Sequence, residues 1–188
     1  AKRHVPQQGG LTSPDPVRVH VLGAGPVGLL LTALLQSNDR FALHLYEKRR
    51  DYTRTRMVHL EPYLVADSVE SYSTDYIDEE SIPAVFEPGE VNEGLAFRQS
   101  IPNDLMALLR EWAQGFAPLN AIERSLSDLI DARQAVYPVQ RSTASIGADE
   151  AMAMLEPGDI LIDSSGSRSV MRDLLMPGSG DVVDGANT

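Results

Sequence analysis

Cysteine is absent from the 188-residue chain, which excludes disulfides, thiolate metal sites and a cysteine nucleophile together. Also absent is any apolar run of the roughly 18–20 residues that a bilayer-crossing helix needs. Positive charge is scarce, with 16 Lys and Arg against 27 Asp and Glu and a net charge of -11 at pH 7. That balance repels phosphate backbones and anionic lipid, so neither nucleic acid nor a membrane is an expected partner. The four histidines, His4, His20, His44 and His59, have no pairing at metal-ligand spacing. The acidic residues form no EF-hand loop either, and no metal site is expected. What remains is ordinary for a globular chain: 43% hydrophobic and 23% charged residues exclude a collagen-like or wholly disordered polymer.

Residues 1–16 (AKRHVPQQGGLTSPDP) carry two early basic residues with no apolar core behind them, unlike a secretory signal. They read as a flexible tail, and the expected location is cytoplasmic. From Val17 the pattern becomes regular. Val17–Leu22 (VRVHVL) is rich in β-branched residues and stops at glycine, as a buried strand does. Gly23–Ser37 (GAGPVGLLLTALLQS) begins with small residues and continues as a strong helix former, with Pro26 where a first-turn proline is tolerated. Phe41–Tyr46 (FALHLY) is a second strand, ending at Glu47. Strand, Gly-rich turn, helix and strand make a βαβ unit, and the expected class is α/β with a Rossmann-like parallel sheet. His20 and His44 lie on its strands, where core histidines are expected.

Between Met57 and Phe97 stand ten acids and no Lys or Arg. This 57–97 stretch reads as an acidic inserted segment with a helix near Glu61–Tyr72, its charge forming a solvated surface or facing a basic partner. Beyond it, Asn103–Ala113 and Ala121–Arg133 have helical periodicity, with Leu105, Leu108, Leu109 and Trp112 on one face and Ile122, Leu126 and Ile130 on the other. Ala135–Arg141 is an expected strand and Glu150–Leu155 a short helical turn. Asp159–Asp163 (DILID) is a strand running into Ser164-Ser165-Gly166-Ser167, followed by a helical Ser169–Leu175. That serine turn superficially resembles a hydrolase elbow, but G-x-S-x-G is not met.

Gly23-Ala24-Gly25-Pro26-Val27-Gly28 is a G-x-G-x-x-G between strand and helix, and Glu47 stands 19 positions after Gly28 at the end of the next strand. Each part has a physical purpose. Gly23 permits the tight turn, Gly25 lets a pyrophosphate approach the backbone, and Gly28 lets helix and strand pack closely. The helix start supplies unpaired N–H groups and the positive end of a dipole. Glu47 can accept hydrogen bonds from both hydroxyls of an adenosine ribose, and would repel a 2′-phosphate. A dinucleotide is the expected ligand. These residues alone leave FAD and NAD open, because both share the ADP half.

The stretch Glu47-Lys48-Arg49-Arg50, then Arg54, Arg56 and Met57-Val58-His59-Leu60, resembles the FAD domain of the class A (aromatic-hydroxylase-like) flavoprotein monooxygenases, with particular likeness to MICAL-type flavin domains. Phe97-Arg98-Gln99 is similar to the family's arginine or glutamine on the flavin side. Ile160–Arg172 resembles the second flavin fingerprint, Ala-Asp-Gly-x-x-Ser-x-x-Arg, with Gly166, Ser169 and Arg172 in place and Asp163 two residues before the usual aspartate position, which Ser165 fills. The resemblance covers about 17–175 and implies a FAD/NAD(P)-binding domain of the glutathione-reductase type. It implies that Lys48 and Arg49 belong to the cofactor-binding set, that Arg54 and Arg98 contact the FAD phosphates or the flavin, and that Asp163 with Gly166 lines the ribityl side. The family's third fingerprint, a Gly-Asp ahead of a His, is not found. Residues 17–188 are therefore read as an incomplete domain, the N-terminal part of a larger flavoprotein, with the remaining C-terminal part as a possible partner.

The activity so implied is that of an NAD(P)H-dependent monooxygenase acting on a small-molecule substrate, with FAD resident and NADH or NADPH as transient donor. No catalytic acid or base is identified. A flavin-dependent reductase or halogenase-like enzyme, a simple NAD dehydrogenase, and a non-catalytic nucleotide-binding module are the alternatives.

Overall fold

The computed structural model describes residues 15–60, 65, 100–166 and 169–175. The expected tail (up to residue 14), the helix expected at 61–72, nearly all of the acidic segment, and Arg98 with Gln99 lie outside the described residues.

Six strands and five helices follow one another among the described residues: β1 (Val17–Leu22), α1 (Pro26–Leu35), β2 (Phe41–Tyr46), β3 (Met57–His59), α2 (Asn103–Trp112), β4 (Phe116–Pro118), α3 (Leu119–Ala132), β5 (Val139–Ser142), α4 (Ala148–Ala153), β6 (Ile160–Asp163) and α5 (Val170–Leu175). Four strands form one sheet in the order β5-β2-β1-β6, and every pairing in it is parallel. The fold is α/β, and its parallel sheet is compatible with a Rossmann-like arrangement. β3 and β4 form a separate antiparallel pair; neither strand has a counterpart in the sequence expectations.

Strand alternation decides which face each residue covers. Val19 and Val21 of β1, Leu43 and Leu45 of β2 and Val139 of β5 are buried together with Leu29 and Ala33 of α1, Leu105, Leu109 and Trp112 of α2, and Ile122, Leu126 and Ile130 of α3. The periodic stripes read on 103–113 and 121–133 are thus the core side of these helices. On the opposite face Leu22, Ala151 of α4 and Met171 of α5 form a smaller cluster. That face also carries a polar chain. His20 Nδ1 lies 3.1 Å from the Tyr46 hydroxyl, its Nε2 lies 3.4 Å from Asp159, and its ring stacks on His44 at 4.7 Å. His20 is 4% exposed, a core histidine as expected. Burial lowers the pKa of neighbouring His44, helped by the charges of His20 and Arg18.

Among the boundaries that differ from the sequence expectations, two have a clear local reason. The α3 helix starts at Leu119 because Pro118 is extended and because the Leu119 and Asn120 N–H groups find acceptors in the Arg56 and Arg54 carbonyls. The β5 strand starts at Val139, not Ala135, because the Val136 and Tyr137 N–H groups both turn back to the Arg133 carbonyl and close the end of α3. Two side chains bind α1 to that same end. Gln36 Nε2 donates to the Ile130 and Tyr137 carbonyls, and Arg133 Nη1 donates to the Ala33 carbonyl at 2.7 Å.

Candidate functional site

The chain runs from β1 outward through β2 to β5, then returns to β6 on the other flank of β1. At that reversal the loops after neighbouring strands diverge, and open α/β sheets bind ligands in the crevice so formed at the carboxyl ends. Backbone hydrogen bonds hold those ends level: Gly23 N–H donates to the Tyr46 carbonyl, Ser164 N–H to the Leu22 carbonyl, and Glu47 N–H to the Ser142 carbonyl. A cavity of about 450 Å³ opens there, within the range of small-ligand sites.

The glycine turn forms its floor. Gly23 has φ +94°, a left-handed conformation that a side chain would strain. Gly28 is buried, and a Cβ there would come within 2.0 Å of the Gly23 carbonyl oxygen, so helix and turn touch through backbone alone. Gly25 is different. It is the extended N-cap of α1 without a side-chain cap, and a Cβ there would meet only the guanidinium ends of Arg54 at 3.5 Å and Arg49 at 3.9 Å. Pro26 and Val27 complete the rim. The first-turn N–H groups of Val27 and Gly28 have no acceptor within the helix, and the dipole makes this end attractive to anions.

The segment after β2 supplies the charge. Glu47, Lys48, Arg49 and Arg54 all line the cavity, three cations and one carboxylate in a chain whose net charge is -11. The Glu47 carboxylate accepts from the Ala24 N–H at 2.9 Å, the Arg49 N–H at 2.9 Å, Arg49 Nε at 3.1 Å and Arg49 Nη2 at 2.8 Å. Partial burial pushes its pKa up, but the Arg49 guanidinium and these N–H groups outweigh that and hold it below the ordinary value. Arg54 pairs with Glu123 of α3, and Arg49 Nη1 stands 3.6 Å from the same Glu123 oxygen. Glu123 is completely buried. The residues flanking Arg54 are fixed to α3 as well, through the Asn120 N–H to Arg54 carbonyl bond and the Arg124 bond to the Tyr52 carbonyl.

The far wall comes from the loops after β5 and β6: Ala144, Ser145 and Ile146 on one side, Ser164, Ser165 and Gly166 on the other. Gly166 thus lies at the cavity, with φ +89°. Asp163 does not line it. Its carboxylate accepts from the Ser165 N–H at 2.9 Å and pairs with the Ser169 hydroxyl, which caps the turn into α5. Burial pushes the Asp163 pKa up, but these hydroxyl and N–H donors outweigh it and leave the net shift downward.

Of the residues expected from the sequence, Gly23, Gly25, Pro26, Val27, Glu47, Lys48, Arg49, Arg54 and Gly166 meet at one cavity. Gly28 acts one layer beneath it as a packing glycine. Arg98 lies outside the described residues. Sequence reasoning gave no site role to Ser164, although it lies within the second fingerprint, and overlooked the 144–146 loop, which carries no motif. It also overlooked Glu123, although an acid three residues before Leu126 and seven before Ile130, on the apolar stripe of α3, was a visible signal.

The chain matches no family model and no curated protein.

Proposed function

We propose that this cavity binds a dinucleotide through its ADP half, that the ligand is FAD, and that the chain is the FAD-binding portion of an NAD(P)H-dependent flavoprotein oxidoreductase of the monooxygenase type. The observation that carries the proposal is the meeting of the Arg49 and Arg54 guanidinium ends over Gly25. Each guanidinium already has a carboxylate partner, Arg49 in Glu47 and Arg54 in Glu123, and a phosphate at the open, positive helix end beside them would gain charge-assisted hydrogen bonds from both. The residues fit the group in other respects. Gly25 leaves its Cβ space open to that anion, and Glu47 follows directly on β2, the strand beside the glycine turn, where such folds place an acid for the ribose. The walls of Ser164, Ser165 and Gly166 give backbone approach on the side where the ligand would continue.

Within this reading the protein's residues bind and orient. The Val27 and Gly28 N–H groups, Arg54 and Lys48 would hold phosphate oxygens, and Glu47 would take the ribose hydroxyls. A flavin, when bound, supplies two-electron redox chemistry that no side chain has. A small-molecule substrate, NADH or NADPH as transient donor, and a cytoplasmic location belong to the same proposal. Among the described residues no helix is long and apolar enough to cross a membrane.

A second reading is favoured by Asp163. Its carboxylate is committed to Ser165 and Ser169, so the flavin-side contact that the resemblance implied lacks its acid. A site that recognises only an ADP moiety, in a dehydrogenase or a non-catalytic module, needs no such contact. The visible spectrum of the protein purified without added cofactor separates the two. Flavin absorption released as FAD on denaturation supports the first reading. A colourless protein that FAD titration leaves colourless, yet that binds ADP, overturns the flavin assignment. Equal cofactor affinity in the parent and in Gly25→Val overturns the site itself.

A further inference from the structure

We infer that Arg49 is a latch on the ribose subsite, which opens by passing its guanidinium from Glu47 to the buried Glu123, so that a ligand must carry a vicinal diol to take its place. The inference rests on the dinucleotide reading of the cavity.

An ionised carboxylate offers about four lone-pair positions. All of those on Glu47 are filled by protein donors: the Arg49 N–H and Nε on Oε1, and the Ala24 N–H and Arg49 Nη2 on Oε2. No acceptor position is left for a sugar. The two N–H donors are fixed by the backbone. The other two belong to one side chain, and a ribose diol brings two O–H donors, so the exchange is two for two.

A guanidinium that leaves one carboxylate needs another, and one is within reach. Glu123 is 0% exposed; its Oε1 is shared by Arg54 and, at 3.6 Å, by Arg49 Nη1. Its Oε2 is buried and has no hydrogen-bond partner among the described residues. A buried carboxylate oxygen without a donor is costly; Arg54 is already engaged on Oε1, and the guanidinium that the diol would displace stands 3.6 Å from that same oxygen. Removing Arg49 from Glu47 therefore satisfies Glu123 as the ligand satisfies Glu47. A ligand without the 2′-hydroxyl replaces one of two bonds and opens the latch at a loss.

The test is titration of the protein with ADP and with 2′-deoxy-ADP, comparing the ratio of the two affinities in the parent, Arg49→Ala and Glu123→Gln. Both nucleotides carry the same pyrophosphate, so effects on the phosphate site cancel. With no latch to open, 2′-deoxy-ADP is relieved of that loss, and Arg49→Ala should lower the preference for ADP several-fold. Glu123→Gln, lacking the charged second seat, should lower that preference several-fold. An unchanged ratio in Arg49→Ala, or a loss of ADP affinity with no change in ratio, means Arg49 holds the ligand instead of competing with it and overturns the latch. An unchanged ratio in Glu123→Gln overturns the role of Glu123. If Arg49→Ala does not fold, Arg49→Gln makes the same comparison. Failure of the folded parent to bind either nucleotide overturns the dinucleotide reading itself, and is distinct from every pattern above.

Discussion

The Gly23 carbonyl oxygen lies 2.0 Å from the point where a Cβ on Gly28 would stand, and Ser164 Oγ lies 2.5 Å from it. Neither neighbour can retreat: Gly23 is held by the Tyr46 carbonyl, and Ser164 Oγ donates to the Leu22 and Gly23 carbonyls. Gly28→Ala should therefore destabilise the fold by about 3 kcal/mol, the upper range for overpacking against backbone. Gly25→Ala meets only flexible arginine ends and should leave stability within about 0.5 kcal/mol. Urea denaturation of the two variants checks the contrast, and equal stabilities would refute the packing role given to Gly28.

Glu47 predicts an acid limb of stability with a definite sign. Its pKa is lower folded than unfolded, because the Arg49 guanidinium and two N–H groups outweigh its partial burial. The unfolded state then binds more protons over the interval between the two values. The resulting stabilisation is complete above the ordinary glutamate range, near pH ~4–5, and is lost as pH falls through the folded value. Glu47→Gln should lack this contribution. The stability difference between parent and variant should stay constant from neutral pH to about pH 5 and shrink below it. A difference that grows on acidification would reverse the sign assigned here.

Gln36 joins three elements through one amide. Its Nε2 reaches the Ile130 carbonyl at 2.9 Å and the Tyr137 carbonyl at 2.8 Å, and the residue is 3% exposed. Gln36→Ala leaves both carbonyls without that donor and should cost about 2 kcal/mol. Hydrogen exchange should localise the loss to the end of α3 and the turn at 133–137. Uniform loss across the sheet would mean that the amide supports the whole core.

Arg54 is half exposed, yet its partner Glu123 is completely buried. Arg54→Ala should weaken ADP binding about tenfold and make it less sensitive to salt, while adenosine binding stays unchanged. The same substitution should destabilise the fold by about 3 kcal/mol, the lower end for orphaning a buried charge, because Arg49 remains 3.6 Å away. Calorimetric titration at two salt concentrations separates the ligand effect from the fold effect. Parallel losses for ADP and adenosine would remove Arg54 from the phosphate site.

What the sequence determined by itself is local. Val17–Leu22, Pro26–Leu35 and Phe41–Tyr46 were legible because alternation, apolar runs and glycine placement act over a few residues. The purposes of Gly23, Gly25 and Gly28 were legible for the same reason, since a turn, an open N-cap and a close approach are properties of adjacent backbone. The helix faces of 103–112 and 119–132 followed from periodicity alone. Ends were harder: β5 lost Ala135–Tyr137 to a turn closing on the Arg133 carbonyl, a competition that strand propensity does not register.

Only the tertiary structure decided the rest. The pairing of β1 with β6 joins Val19 to Ile160 across more than a hundred residues, and it creates the crevice where Ser164 meets Gly23. Asp163 was read as a cavity residue because a motif records order, whereas the turn chemistry of Ser165 and Ser169 directs its carboxylate elsewhere. Arg49 was read as a cofactor-binding residue and Arg54 as a contact to phosphates or flavin, both from the family resemblance. That both converge on a buried Glu123, and that Arg49 fills every acceptor position on Glu47, depends on how α3 docks against α1 and β4. Such docking sums many weak contacts between distant segments, and no short-range pattern encodes the sum.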